Sequence, residues 1–261
     1  LRSRGEAERI IEDFMVAANE VVAEKLFWEE IPAIYRVHED PDRSKISALN
    51  ESLVKFGYSI KNLDDLHPGK FQVIIEKTTG LPEGYLIHKL ILRAMQRARY
   101  ANRNMGHFGL ASRYYLHFTS PIRRYSDLVV HRMLGKSLER FIKEKEKGKY
   151  SAEFEVVAAA VSKTERTADK LEEESVKIKL IEYMQDKIGE TYIARLSGMN
   201  RNKIFMELEN HIEVVYNVNT VRDNFIYDEE TYKIINKKTN ESYTMGSTLK
   251  VIVTGASYSK M

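Results

Sequence analysis

The sequence predicts an α+β protein, with a helix-rich part over residues 1–187 and a small antiparallel β barrel over 188–261. Three observations predict it. Apolar residues recur at helical spacing through the first part. At Gly189 the period changes to two: Tyr192, Ala194 and Leu196 alternate, then Ile204, Met206 and Leu208, then Leu249, Val251 and Val253. Turn signals at Ser197-Gly198, Glu209-Asn210, Asn236 to Asn240 and Met245-Gly246 separate these runs.

The elements follow in order. Ile10, Phe14, Ala17, Val21 and Leu26 place a helix over 6–30, closed by Pro32. The polar run His38 to Ser44 is a loop. A short helix covers 45–56 and ends at Gly57, and Pro68 starts another. Leu86, Leu90 and Ala94 mark a helix over 86–98, with Lys89, Arg93 and Arg97 on its second face. Ser120-Pro121 reads as a helix start, Ser as N-cap and Pro as first helical residue. Val130, Leu134, Leu138 and Phe141 give that helix its stripe. The charge run 143–149 reads as a solvated tail, after which Ser151 caps a long helix to about Lys187. Its seam is Val157, Val161, Thr164, Ala168, Leu171, Ser175 and Ile178. A five-stranded barrel needs one strand more than the last part shows.

Composition bounds the chemistry. The chain has 261 residues, 43% of them hydrophobic, enough to bury a core. It has no Cys, which excludes disulfides, thiolate zinc sites, iron–sulfur clusters and Cys nucleophiles, and fits a cytoplasmic location. No run of 18 apolar residues is present, so no membrane partner is expected. The chain opens on Leu1 rather than Met and reads as a piece of a longer protein.

The net charge of +3 says little, but its distribution says more. No Asp or Glu occurs from Gly84 to Ser126, in a chain with 38 acids among 261 residues. That stretch holds Lys89 and seven arginines at 93, 97, 99, 103, 113, 123 and 124. Seven aromatic rings are interleaved with them. Clustered cations attract phosphates and rings offer stacking surfaces to unpaired bases. The other reading is a solvated basic face whose rings lie in the core.

Arg123 and Arg124 fall at a predicted helix N-terminus, which already carries positive partial charge. Cations there call for an anion, either a phosphate ligand or an internal carboxylate such as Asp127 or Glu12. One arginine in each role is expected. The seven His show no metal-ligand spacing, and His88 and His131 read as hydrogen-bonded structural residues. Phe27 and Trp28 read as core.

The run Arg97 to Leu134, RARYANRNMGHFGLASRYYLHFTSPIRRYSDLVVHRML, resembles the catalytic domain of the ribonuclease II/ribonuclease R family, most closely its ribonuclease R branch. Ile10 to Ala23 resembles that domain's upstream helix and Ser162 to Asp169 its closing helix. Residues from Gly189 onward resemble the OB-fold RNA-binding domain that follows it, of the ribosomal S-one kind. The resemblance implies a processive exoribonuclease that degrades single-stranded RNA from the 3′ end to nucleoside 5′-monophosphates by Mg²⁺-assisted hydrolysis. It implies that the intact protein is a monomer. It implies that Arg123 binds the phosphate at the scissile bond and that Glu12 lies by the 3′-terminal nucleotide. Arg124, Tyr125, Asp127, His107 and Phe108 would support that site, beside the basic run that includes Arg97. A closing-helix Glu is implied as well, and both Glu165 and Glu172 match.

Two departures stand against the family pattern. The family's Mg²⁺ is held by an Asp cluster, and here Asp64-Asp65 stands alone while Asp228-Glu229-Glu230 lies in the β part. Hard cations need converging carboxylates, so the ligands are expected upstream of this chain. The fragment alone is then expected to be inactive. In the OB part, Asn200 to Met206 replaces a glycine–aromatic strand and brings Arg201 and Lys203. With Phe205, Tyr216, Phe225 and Tyr227 these cations would form an RNA platform, unless the phenylalanines are core. The alternative to an enzyme part is a non-catalytic binder of single-stranded RNA using the same basic surface.

Overall fold

A computed structural model describes residues 5–257, apart from 64, 82, 140, 200, 201, 218–224, 229–232, 238 and 245. In chain order the elements are α1 (Glu6–Trp28), β1 (Tyr35–Val37), α2 (Arg43–Val54), α3 (Pro68–Thr78), α4 (Gly84–Ala94) and β2 (Arg99–Ala101). A 3₁₀ turn (Phe108–Leu110) precedes α5 (Tyr125–Leu138) and α6 (Glu144–Gln185). Then come β3 (Thr191–Met199), β4 (Lys203–Leu208), β5 (Glu213–Asn217), β6 (Phe225–Asp228), β7 (Lys233–Asn236), β8 (Ser242–Thr244) and β9 (Thr248–Ile252). The fold is α+β, and the chain divides into two compact units.

The first unit takes in residues 1–47, 61–70 and 94–169. Its centre is the antiparallel pair β1–β2, with Arg36 opposite Tyr100. Successive strand residues face opposite ways. Tyr35, Val37 and Ala101 therefore enter one core with Ala23 and Leu26 of α1, Leu116 and Val130. Tyr100 enters another with Ile34, Val129 and Met133 of α5, and Phe154 and Ala158 of α6. Adjacent residues of α5 thus serve both cores. The buried side of α1 is Asn19, Ala23 and Leu26, whereas Ile10, Phe14 and Val21 are exposed. The chain turns at Glu30, whose φ is +54°, and Ile31 N–H returns to the Leu26 carbonyl at 2.9 Å. Phe27 and Trp28 were expected in the core; Trp28 is 68% exposed and stacks edge-on against Phe27 at the surface.

The second unit takes in 48–60, 71–93 and 170–261. Its four-stranded antiparallel sheet has the order β5-β4-β3-β9. The alternation read in the sequence is the alternation of burial: Ala194, Leu196, Ile204, Met206 and Leu208 are buried on one face. They pack with Leu86 and Leu90 of α4 and with Met184 near the end of α6. A bulge falls between Leu196 and Gly198, where a side chain would press on the Phe205 ring.

Several expectations are corrected. Among the described residues the strands do not close into a barrel. Strands β6, β7 and β8 form a separate three-stranded sheet, and β5 and β9 remain edges of the other. The links 218–224 and 229–232 lie outside the described residues. Helix α4 ends at Ala94 rather than 98, because β2 needs extended backbone to pair with β1. Arg97 therefore does not share a helix face with Arg93 and Lys89; it lies exposed on the connection to β2. Helix α6 starts at Glu144, not Ser151, since Glu144 and Glu146 suit a helix N-terminus and Glu146 accepts from Lys143 N–H at 3.1 Å. Its buried positions in the first unit are Phe154, Ala158 and Ser162, while Thr164, Ala168, Leu171, Ser175 and Ile178 of the expected seam are exposed.

Candidate functional site

The motif Thr119 to Asp127 builds a turn before it builds a helix. Pro121, Ile122 and Arg123 form the turn, and the N–H groups of Arg123 and Arg124 both reach the Ser120 carbonyl, at 3.3 and 3.1 Å. Helix α5 starts at Tyr125 with Arg124 as N-cap, which corrects the expected Ser120-Pro121 start. The cause is Asp127. Its fully buried carboxylate takes the Ser120 N–H (2.8 Å), Arg124 Nε (3.1 Å) and Arg124 Nη2 (2.8 Å) on Oδ2, and the Ser126 hydroxyl (3.1 Å) on Oδ1. One acidic side chain thus closes the turn and neutralises Arg124.

Among the described residues, one of the two arginines pairs with an internal carboxylate, and the other does not. Arg124 is locked to Asp127 with 17% of its side chain exposed. Arg123 is exposed and makes no ion pair among the described residues. Thr119 Oγ1, beside the turn, is buried with no hydrogen-bond partner among the described residues. Tyr125 is 51% exposed.

Behind the turn lies a network of buried and half-buried rings. His117 Nδ1 is 2.9 Å from the Tyr100 hydroxyl. Burial first, then the charges of Arg124, Arg36, His107 and Arg123, pushes the His117 pKa down to about 3. His117 is therefore neutral near pH 7 with three guanidinium groups acting on it. His107 accepts the Leu110 N–H at 3.2 Å, and burial with nearby His38 and Arg36 lowers its pKa to about 4. Tyr115 sits between them, its ring 5.1 Å from His107 and 5.8 Å from His117. Asn19 of α1 fixes this layer: its Nδ2 donates to the Tyr115 hydroxyl (3.2 Å) and its Oδ1 accepts from Phe118 N–H (2.8 Å). Burial raises the Tyr100 pKa, so its hydroxyl stays protonated.

Glu165 belongs to this cluster. Its Oε2 is 2.7 Å from Arg36 Nη1, and the Arg36 guanidinium lies 4.7 Å over the Tyr100 ring. Glu172 is exposed on α6 and falls in the second unit. Glu12 is exposed on α1, about two turns before Asn19. Arg36, Tyr100, His117 and Asn19 carried no assigned role in the sequence reading. Arg36 had a signal: it is the one cation in the short apolar strand Tyr35–Val37.

In the β part, Arg201 lies outside the described residues, as do the side chains of Phe225 and Tyr227. Ile204 pairs with Tyr216 and Phe205 with Val215. Tyr216 therefore shares the core face with Ile204, while Phe205 and Lys203 share the other. The expected platform of Phe205 and Tyr216 on one face is corrected by this register. His88 and His131 are structural: His88 Nε2 is 3.0 Å from Thr78 Oγ1, and His131 stacks on Phe118 at 4.1 Å.

No group of three or more potential metal ligands occurs among the described residues. Asp65 lies against Lys70, and Asp64, Glu229 and Glu230 lie outside the described residues. The described residues do not fit a Mg²⁺ site. No described helix is long and apolar enough to cross a membrane.

Residues 1–140 match the model of the RNB domain. Ribonuclease R of Aquifex aeolicus is 42% identical over 94% of this chain and 35% of its own length. Ribonuclease R of Thermotoga maritima is 39% identical over 98% of this chain and 36% of its own. Among solved structures, Mycoplasma genitalium RNase R in complex with ribose methylated single-stranded RNA matches with a TM-score of 0.85 and 29% identity. That match covers 97% of this chain and 40% of that one. The chain thus spans about a third of the length of these curated relatives.

Proposed function

Because this chain belongs to the RNB-domain family, we propose that it is part of a processive 3′-to-5′ exoribonuclease that hydrolyses single-stranded RNA to nucleoside 5′-monophosphates. Residues 1–187 serve as the later part of the catalytic domain, and 188–261 as an OB-type RNA-binding domain. The observation that carries the proposal is the arrangement of Arg123 and Arg124. A neutralised arginine builds the turn, and an unpaired one stands beside it for the RNA phosphate. Exposed cations in this position attract phosphate from any sequence, as a non-specific exonuclease requires.

Each residue then has a task. Arg123 holds the phosphate at the scissile bond and stabilises its charge. Asp127 and Arg124 keep that turn rigid. Neutral His117 and His107 fill the space behind it without adding charge of their own. Glu165 serves the 3′-terminal nucleotide together with Glu12. A hydrolytic metal ion such as Mg²⁺ would supply Lewis-acid chemistry to the reaction, and no residue of the described set is assigned to hold it. Arg97 is proposed as a further RNA contact of the first unit, and Lys203 and Arg201 as RNA contacts of the second.

The test is turnover of single-stranded RNA by the complete protein. Removing one preorganised donor of this kind costs about 10²–10³ in rate. Arg123→Ala is expected to lower kcat by about that factor. A loss below about tenfold moves the phosphate contact elsewhere. Metal-dependent hydrolysis absent from the wild-type complete protein, with RNA still bound, selects the non-catalytic RNA-binding reading instead.

A further inference from the structure

We infer that Arg36 is a positioning residue for the 3′-end site: it holds Glu165 in one orientation through an ion pair braced on the Tyr100 ring. The inference rests on the proposed role of Glu165 at the terminal nucleotide and deepens it.

The geometry makes Arg36 more than a surface partner. It occupies the middle of β1, between buried Tyr35 and fully buried Val37, so its backbone cannot shift without disturbing a core. Its own N–H donates to the Tyr115 carbonyl at 3.0 Å, which ties the strand to the ring layer behind the Arg123 turn. Its side chain is 16% exposed and crosses to Tyr100, its register partner on β2, with the guanidinium 4.7 Å over that ring. From there Nη1 meets Glu165 Oε2 at 2.7 Å. The planar guanidinium can stack on a ring and donate sideways together, which an ammonium cannot reproduce.

Glu165 is also located from its own helix. Ser162, one turn earlier on α6, takes the Tyr100 N–H on its Oγ at 2.9 Å. Helix α6 is therefore pinned to β2 at Ser162 and to β1 at Glu165. The Tyr100 hydroxyl continues the chain to His117, 2.9 Å away. Glu165, Arg36, Tyr100 and His117 form one connected line that ends beside the Arg123 turn. Only Oε2 of Glu165 is engaged by Arg36, and Oε1 has no partner among the described residues. A carboxylate held by one oxygen presents the other to accept a hydrogen bond from a ribose hydroxyl. Freed from Arg36, the same side chain samples several rotamers, and the terminal nucleotide loses a fixed acceptor.

The test is steady-state turnover of single-stranded RNA by the complete protein carrying R36M, R36K, E165Q and R36M/E165Q. R36M is expected to lower kcat at least about tenfold with KM within about threefold, because it disturbs the reacting geometry rather than general RNA binding. E165Q is expected to lose as much or more. The double variant is expected to match E165Q within about twofold, since Arg36 acts through Glu165. R36K keeps a charge and a donor and is expected to recover part of the loss. Thermal melting reports folding of each variant. If R36M does not fold, R36K with E165Q carries the same comparison.

The inference is overturned if E165Q is impaired while R36M keeps kcat within about twofold of wild type, or if the losses of the two variants multiply in the double. E165Q at wild-type kcat overturns the role of Glu165 itself and the inference with it, an outcome distinguishable from the first two.

Discussion

Arg123 and Arg124 are neighbours in the chain and meet different surroundings. The difference comes from Asp127, three residues beyond Arg124, which is buried with both oxygens engaged. The sequence made this division legible, because it named Asp127 as a carboxylate for one of the pair. It did not show that Asp127 also takes the Ser120 N–H and so holds Ser120 in a turn ahead of the helix. A side chain that satisfies a turn from seven residues away leaves no local spacing to read. The half-buried histidines were equally silent, since a lone His carries no sign of what surrounds it. Their burial has a consequence for stability. His117 falls from an ordinary 6.5 to about 3, and His107 to about 4, so both are neutral in the fold when the unfolded chain has already bound protons. Their contribution is present above about pH 6.5 and is lost as pH falls toward the folded values. The expected outcome is a denaturation midpoint that drops steadily from pH 7 to pH 5, with a shallower drop in His117→Gln. A midpoint independent of pH over that range, or an unchanged slope in the variant, contradicts the neutral buried state.

At the scale of elements, the helices and strands were legible wherever period and punctuation agreed. Pro68 opens α3, and the inward residues of β3 and β4 are those that alternate in the sequence. The misreadings fall at ends, where a distant partner decides. Helix α4 stops at Ala94 because β2 must pair with β1. Helix α6 extends back to Glu144 because first-turn acids outweigh the appearance of a charge run. The start of α4 is set by packing as well. Gly84 begins the helix against the Thr78 carbonyl, which a Cβ there would strike. Thr78 is fully buried and shares its hydroxyl with His88 and the Ile74 carbonyl, so it has no room to retreat. Gly84→Ala is expected to destabilise the second unit by about 1–3 kcal/mol, as overpacking does. Urea denaturation checks it, and a change below about 0.5 kcal/mol would show that α4 can shift its first turn.

For the whole molecule, the acid-free stretch from Gly84 to Ser126 resolves into more than one kind of residue. Arg124 is structural, Arg99 pairs with Glu39 at 2.7 Å, and Lys89 lies over the Tyr85 ring. Arg123, Arg103 and Arg113 are exposed. Among the rings, Tyr100, Phe108 and Tyr115 are core, so they shape the site rather than stack on bases. Composition pointed to a cationic surface and was blind to this sorting, because exposure depends on contacts between distant segments. The hydrophobic face of α1 makes the same point: Ile10, Ile11 and Phe14 keep apolar spacing and are exposed.

The central claim is that Arg123 receives RNA phosphate, and binding to this chain tests it without any need for turnover. The measurement is the affinity for a labelled single-stranded RNA, without metal, across a range of salt, for wild type and Arg123→Ala. For single strands log K falls with log salt by about 0.7 for each phosphate contact. Wild type is expected to bind with a steep slope, and Arg123→Ala to bind more weakly with a slope smaller by about 0.7. Equal affinity and equal slope in the two proteins, both shown to be folded, would contradict a phosphate at Arg123.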